Sequence, residues 1–229
     1  MNRAEIRSHI RSLINEPVEG NWLDIEINYW INEAINDISV KARCLLKHYT
    51  FDTVASTGEY NLPADFISAQ RVRYDIYLLK PISIRDIDKL YPNSDWTLLT
   101  ATKPDYYYIK FGSPTYKIGI FKIPASVLSC TVDYTALANE LNDDTTEPEL
   151  HAQFQKLIIP YCVYKALMKD TRPDEASNFL NEYLFGIEDM KKQLKGNQVD
   201  RLFVMKSSDK DDAPKEIVRL PSKYGTEEL

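Results

Sequence analysis

The side chains with most chemistry to offer are few and scattered. The histidines are His9, His48 and His151, and the cysteines are Cys44, Cys130 and Cys162. No Cys or His pair has the two-to-four-residue spacing that wraps a zinc ion. Helical spacing would bring His151 together with Glu147 and Gln155, but a histidine at a helix start more simply caps it or faces solvent. Each cysteine sits among apolar neighbours and reads as a small buried hydrophobe, not as part of a disulfide framework. Carboxylates cluster at Asp86 and Asp88 and at Asp143 and Asp144. A metal-dependent nuclease, the enzymatic alternative, needs carboxylates converging from several elements, commonly with a lysine. Loop acids ahead of a helix ordinarily serve capping and solubility. The patterns G-x-S-x-G, S-x-x-K, Walker A and G-x-G-x-x-G are all absent, so neither nucleophilic hydrolysis nor nucleotide binding has a foothold. The expectation is a protein with no enzymatic activity, no metal and no cofactor.

Binding features are more evident. The run Tyr106-Tyr107-Tyr108 could stack single-stranded bases. Its basic surroundings are thin (Lys103, Lys110 and Lys117), which favours packing or contact with another subunit or a tail protein. A formal net charge of −6 argues against tight, non-specific nucleic-acid binding. The same charge suits a wall past which DNA slides, because acidic side chains repel phosphate. With 229 residues, 44% hydrophobic and 27% charged, the chain has the composition of a soluble globular protein able to bury a substantial core. No apolar run approaches the roughly 20 residues of a membrane span. Met1 to Arg7 lacks the apolar stretch of a secretory signal, so the expected compartment is the cytosol.

Hydrophobic periodicity organises these residues into elements. Ile6, Ile10, Leu13 and Ile14 predict a helix over about 4–15, and Pro17 and Gly20 punctuate the chain after it. A second helix is expected over 24–46 with Asp24 as its N-cap. From Lys47 the pattern becomes strand-like. His48–Val54 and Tyr60–Leu62 flank a Ser56–Glu59 turn and read as a hairpin. One or two strands follow over 67–79, with Val72, Tyr74, Ile76 and Leu78 on one side. A short helix over 84–90 is capped by Ser83. A second hairpin pairs Tyr106–Ile109 with Tyr116–Phe121, and Leu128–Tyr134 is a further strand. Pro148 opens a long helix that Pro160 should kink. A last helix starts near Pro173 and stops at Gly196-Asn197. The fold class is therefore α+β. A helical bundle (two N-terminal and two long C-terminal helices) carries a central antiparallel β-module of five to seven strands and an extended C-terminal tail. The boundaries are 1–46 and 138–196 for the helices, 47–137 for the module and 197–229 for the tail. Apolar and basic positions in the tail, Arg201, Leu202, Phe203, Val204, Ile217, Val218, Arg219, Leu220 and Tyr224, are expected to bind a partner.

The order of the parts carries a resemblance. A helix pair ends in Trp30-Ile31-Asn32-Glu33-Ala34-Ile35, and Gly58-Glu59-Tyr60-Asn61-Leu62-Pro63-Ala64-Asp65-Phe66 follows. Next come Pro104-Asp105-Tyr106-Tyr107, Ile120-Phe121-Lys122-Ile123-Pro124 and Val132-Asp133-Tyr134. Glu147-Pro148-Glu149-Leu150-His151 opens a long helix, and the last helix carries Glu175-Ala176 and Tyr183. Across roughly 5–195 this series resembles the head-to-tail adaptor, or connector ring, proteins of tailed bacteriophages, podovirus-like ones in particular. The resemblance implies a structural virion protein of the neck, assembled in the host cytoplasm. It implies a ring, usually of twelve copies in such proteins (a dodecamer), with helices packed side by side and β-modules facing the tail. Its implied partners are further copies of itself, the portal protein and a downstream tail or nozzle protein. Genomic double-stranded DNA would pass through the channel without specific binding, and no membrane or cofactor is involved. Another ring component of the same stack, such as a head-closure protein, is the alternative within the virion.

Overall fold

The computed structural model describes residues 1–196. Two helices open the chain, α1 (Arg3–Leu13) and α2 (Asp24–Ala42). Asn2 caps α1 in a capping box, its side chain accepting from the Glu5 N–H while the Glu5 carboxylate accepts from the Asn2 N–H. Asp24 is not the cap of α2. Leu23 occupies that position, and the Asp24 carboxylate instead binds Arg11. The helix ends at Ala42, short of the expected Leu46, because Arg43 takes a left-handed conformation (φ 51°) and its N–H closes on the Ser39 carbonyl.

The module contains β1 (Leu46–Asp52), β2 (Glu59–Asn61), β3 (Phe66–Tyr74), β4 (Tyr77–Pro81), helix α3 (Ile84–Leu90), β5 (Thr100–Ala101), β6 (Tyr106–Lys110), β7 (Lys117–Phe121), β8 (Ile123–Pro124) and β9 (Ser129–Ala136). Seven strands form one sheet in the order β1-β9-β3-β4-β6-β7-β2, and β5 with β8 forms a small parallel pair. The main sheet is antiparallel except between β4 and β6. The expected β6–β7 hairpin is present, with Tyr108 opposite Gly119. The expected β1–β2 hairpin is not, since these strands lie at opposite ends of the order. The sheet curls instead, helped by register shifts between β3 and β9. Its two ends meet where the Phe51 and Tyr60 rings pack at 4.8 Å.

A second correction concerns Ile76 and Leu78, which are exposed. The chain reverses at Asp75 (φ 54°), and Leu79, not Leu78, pairs with Val72. Directly opposed residues share a face, so the inward set is Val72, Tyr74 and Leu79.

After β9, a loop leads to α4 (Ala152–Gln155), α5 (Ile158–Lys169) and α6 (Pro173–Gly196). The single helix expected from Pro148 is thus broken near Lys156–Leu157. The break falls four residues before Pro160, at the Lys156 carbonyl that the proline ring crowds and to which it offers no N–H, and Lys156 and Leu157 stay right-handed helical across it. Ile6 and Ile10 of α1, Ile31 and Ile38 of α2, Ile158 and Cys162 of α5, and Tyr183 of α6 are buried together as the bundle core. Each such aliphatic side chain contributes about 1.5–3 kcal/mol over its exposed state. A separate core fills the curl of the sheet around Val72, Tyr74, Ile118 and Val132. Leu45 packs against both cores at the junction. The tail expected beyond Gly196 lies outside the described residues.

Candidate interaction surfaces

The residues singled out for catalysis are brought to no common point. His151 stands exposed at the N-terminus of α4, and its side chain makes no capping bond. Gln155 turns inward, accepting from the Met1 ammonium at 2.7 Å and donating to the Leu150 carbonyl. Asp86 accepts from Ser83 and Lys89 at the start of α3, while Asp88 accepts from the Trp96 indole. Cys130 and Cys162 are buried and Cys44 is half-buried, so the last is less enclosed than expected. Burial holds all three thiols protonated, Cys44 near 11 and Cys130 near 12. Among the described residues no three His, Cys, Asp or Glu side chains converge on a point that could hold a metal ion.

Asp144 has a structural partner set that the sequence did not reveal. Arg3, Arg7 and Arg11 recur every four residues along one face of α1. Arg3 and Arg7 each reach Asp144 at 2.8 Å, and Arg7 also approaches Asp24 at 3.5 Å. Arg11 binds Asp24 and the carbonyls of Val18 and Trp22. The ladder ties α1 to the loop ahead of α4 and to the start of α2. The hydrogen bonds from Arg7 and then Arg3 hold the Asp144 carboxyl down at about 2.

The tyrosine run is split by its strand. Tyr107 faces the sheet core and Tyr108 the small cluster with Ile87 and Phe121, both buried, whereas Tyr106 is 36% exposed. The Tyr108 ring lies so close over Gly119 that a Cβ there would come within 2.0 Å of it. Tyr106 is the member left open to another molecule.

Two apolar surfaces lie on opposite sides of the bundle. On α2, Ile25 (75% exposed), Tyr29 (67%) and Val40 form a stripe that points away from the buried Ile31 and Ile38. Across the bundle, Leu13, Leu157, Ile159, Pro160 and Phe179 line a cleft of about 280 Å³ between α1 and α6. Lys156 and Glu182 add charge to its walls. On α5, Lys165 bonds Glu33 of α2 at 2.7 Å, and Tyr161 lies on the same side, one turn earlier. Ile159 precedes Tyr161 by two residues, about 200° round the helix, so the cleft opens away from α2. No described helix is long and apolar enough to cross a membrane.

The model of the SU10 adaptor protein family matches residues 1–205, covering every described residue and continuing beyond Gly196. No curated protein matches the chain.

Proposed function

The chain belongs to the SU10 adaptor protein family, and we propose that it acts as a ring-forming, non-catalytic joint between the portal and the tail of a phage particle. As a phage adaptor it is a structural protein of the virion neck. The finer assignment is that copies, twelve in the arrangement we favour, close a ring below the portal. A tail protein docks beneath and the genome passes through the centre.

The observation that carries this reading is the family match along the whole described chain. The two opposed apolar surfaces support it. A ring needs a heterologous contact, in which two different faces of one subunit are complementary. The Ile25–Tyr29 stripe of one copy and the Leu13–Phe179 cleft of the next are such a pair, one projecting and one recessed. The separate bundle and module cores give two rigid ends for two different partners. A net charge of −6 suits a passage through which DNA moves without sticking.

The test mixes purified protein with portal and reads mass and symmetry by native mass spectrometry and electron microscopy. The expected product is a ring seated on the portal. A ring found elsewhere in the tail would make the protein another component of the same stack. Metal-dependent DNA cleavage, lost on changing Asp143 and Asp144, would replace the reading with a nuclease.

A further inference from the structure

One edge of the sheet is long and regular, and it meets the other end of the sheet only near Phe51, where Tyr60 packs. Strand β1 ends the strand order and pairs only with β9, without a bulge over its seven residues. The Ala136 N–H donates to the Leu45 carbonyl and the Thr53 N–H to the Leu128 carbonyl. Pairing alternates along an antiparallel ladder, so the odd-numbered residues of β1 bond β9. The N–H and C=O groups of Leu46, His48, Thr50 and Asp52 therefore point outward. None of these backbone groups meets a partner among the described residues. The opposite edge, β2, has only three residues.

Folded proteins blunt such edges with proline, bulges, outward lysines or a covering element, because an open edge templates another strand. This edge has no proline and no bulge, its lysine (Lys47) is turned inward to Asp65, and it starts at the exposed Leu46; only past its far end is it capped, where the Tyr60 hydroxyl bonds the Val54 N–H and carbonyl. It is built to be covered.

The chain itself contains a fitting occupant. The family match runs through Met205 and stops there, so it includes Arg201-Leu202-Phe203-Val204-Met205 and leaves out everything after. These five residues contain strand formers and neither proline nor glycine. The later apolar motif, Ile217–Leu220, lies between Pro214 and Pro221 and suits a ladder less well. The geometry of α6 delivers the first motif to the right level. Its Tyr183 hydroxyl donates to Asp37 of α2 at 2.5 Å, and its Gln193 bonds Gln153 ahead of α5. Helix α6 therefore leaves the bundle at the end where α2 hands over to β1. Residues 197–200 add a reach of at most about 14 Å. In a ring, rotation about the axis keeps every β1 edge at that same level.

We propose that the β1 edge of each subunit accepts Arg201–Met205 of a second copy as an added strand. This inference rests on the ring reading above. Backbone pairing supplies the bonds, and donation repeated from copy to copy closes the ring with no β1 edge and no donor left over.

The test places one cysteine on each side of the joint in the full chain, with Cys44→Ser to remove the half-buried thiol. Thr50→Cys is combined in turn with Leu202→Cys, Phe203→Cys and Val204→Cys, so that the register need not be known. Rings assembled on portal are oxidised and run on a non-reducing gel. The expected result is a ladder of cross-linked oligomers for at least one pairing, absent from each single variant. Cross-linked monomers would show that the strand returns to its own subunit and would overturn the proposal. Rings visible by electron microscopy with no cross-link would overturn it while leaving the ring reading standing. A wild-type protein that forms no ring on portal would remove both.

Discussion

Single residues hold the joints of this molecule, and their effects have definite signs. The Asp144 carboxyl, held at about 2 by Arg7 and Arg3, has a folded-state pKa below its ordinary 3.8. Its contribution is complete above about pH 4 and is lost as pH falls toward 2. Thermal unfolding followed across that window should show a weaker acid dependence in Asp144→Asn than in the wild type. Gly119 works by absence: Gly119→Ala drives the Tyr108 ring out of its seat and should cost about 1–3 kcal/mol in urea unfolding. With Tyr108→Ala in the same chain, that penalty should disappear. Tyr183→Phe removes a hydroxyl that donates to Asp37 from a fully buried ring. Burial and the bond to Asp37 both raise the Tyr183 pKa, so its proton stays in place. The loss should be about 1.5–3 kcal/mol in the same assay.

At the scale of elements, the faces left uncovered matter most. Tyr29→Asp puts a charge at the centre of the α2 stripe. It should leave the thermal midpoint of the isolated protein within the small range of surface substitutions, while native mass spectrometry shows rings on portal lost. The element scale also shows what could be read from sequence. Strongly periodic segments were legible. The stripes of α1, α2 and α6 and the β6–β7 hairpin follow from residue type and spacing alone. Partner choice within the sheet was not legible. His48–Val54 and Tyr60–Leu62 look like a hairpin because they are adjacent in sequence. The curl of the sheet instead gives β1 to β9 and β2 to β7, and no local signal encodes that. One helix end depended on an individual backbone conformation, the left-handed one at Arg43. The Arg3, Arg7 and Arg11 spacing was present in the sequence, but Asp144 lies more than 130 residues away and only the fold brings it to Arg3 and Arg7.

For the whole molecule, two cores joined at Leu45 make a body with distinct ends, and the neighbouring ion cluster of Lys47, Asp65 and Glu149 reinforces the joint. The resemblance seen in the order of motifs agrees with the family match, whereas the ring is a proposal about many copies together. Removing residues 197–229 should leave the unfolding midpoint unchanged and weaken assembly, because the described cores are complete without them. The most direct measurement of the central claim is electron microscopy of the full-length protein bound to portal. The expected result is a closed ring seated coaxially on the portal, with the α2 stripe of each copy in the cleft of the next. A protein that stays monomeric beside portal, or binds it without forming a ring, would contradict the account.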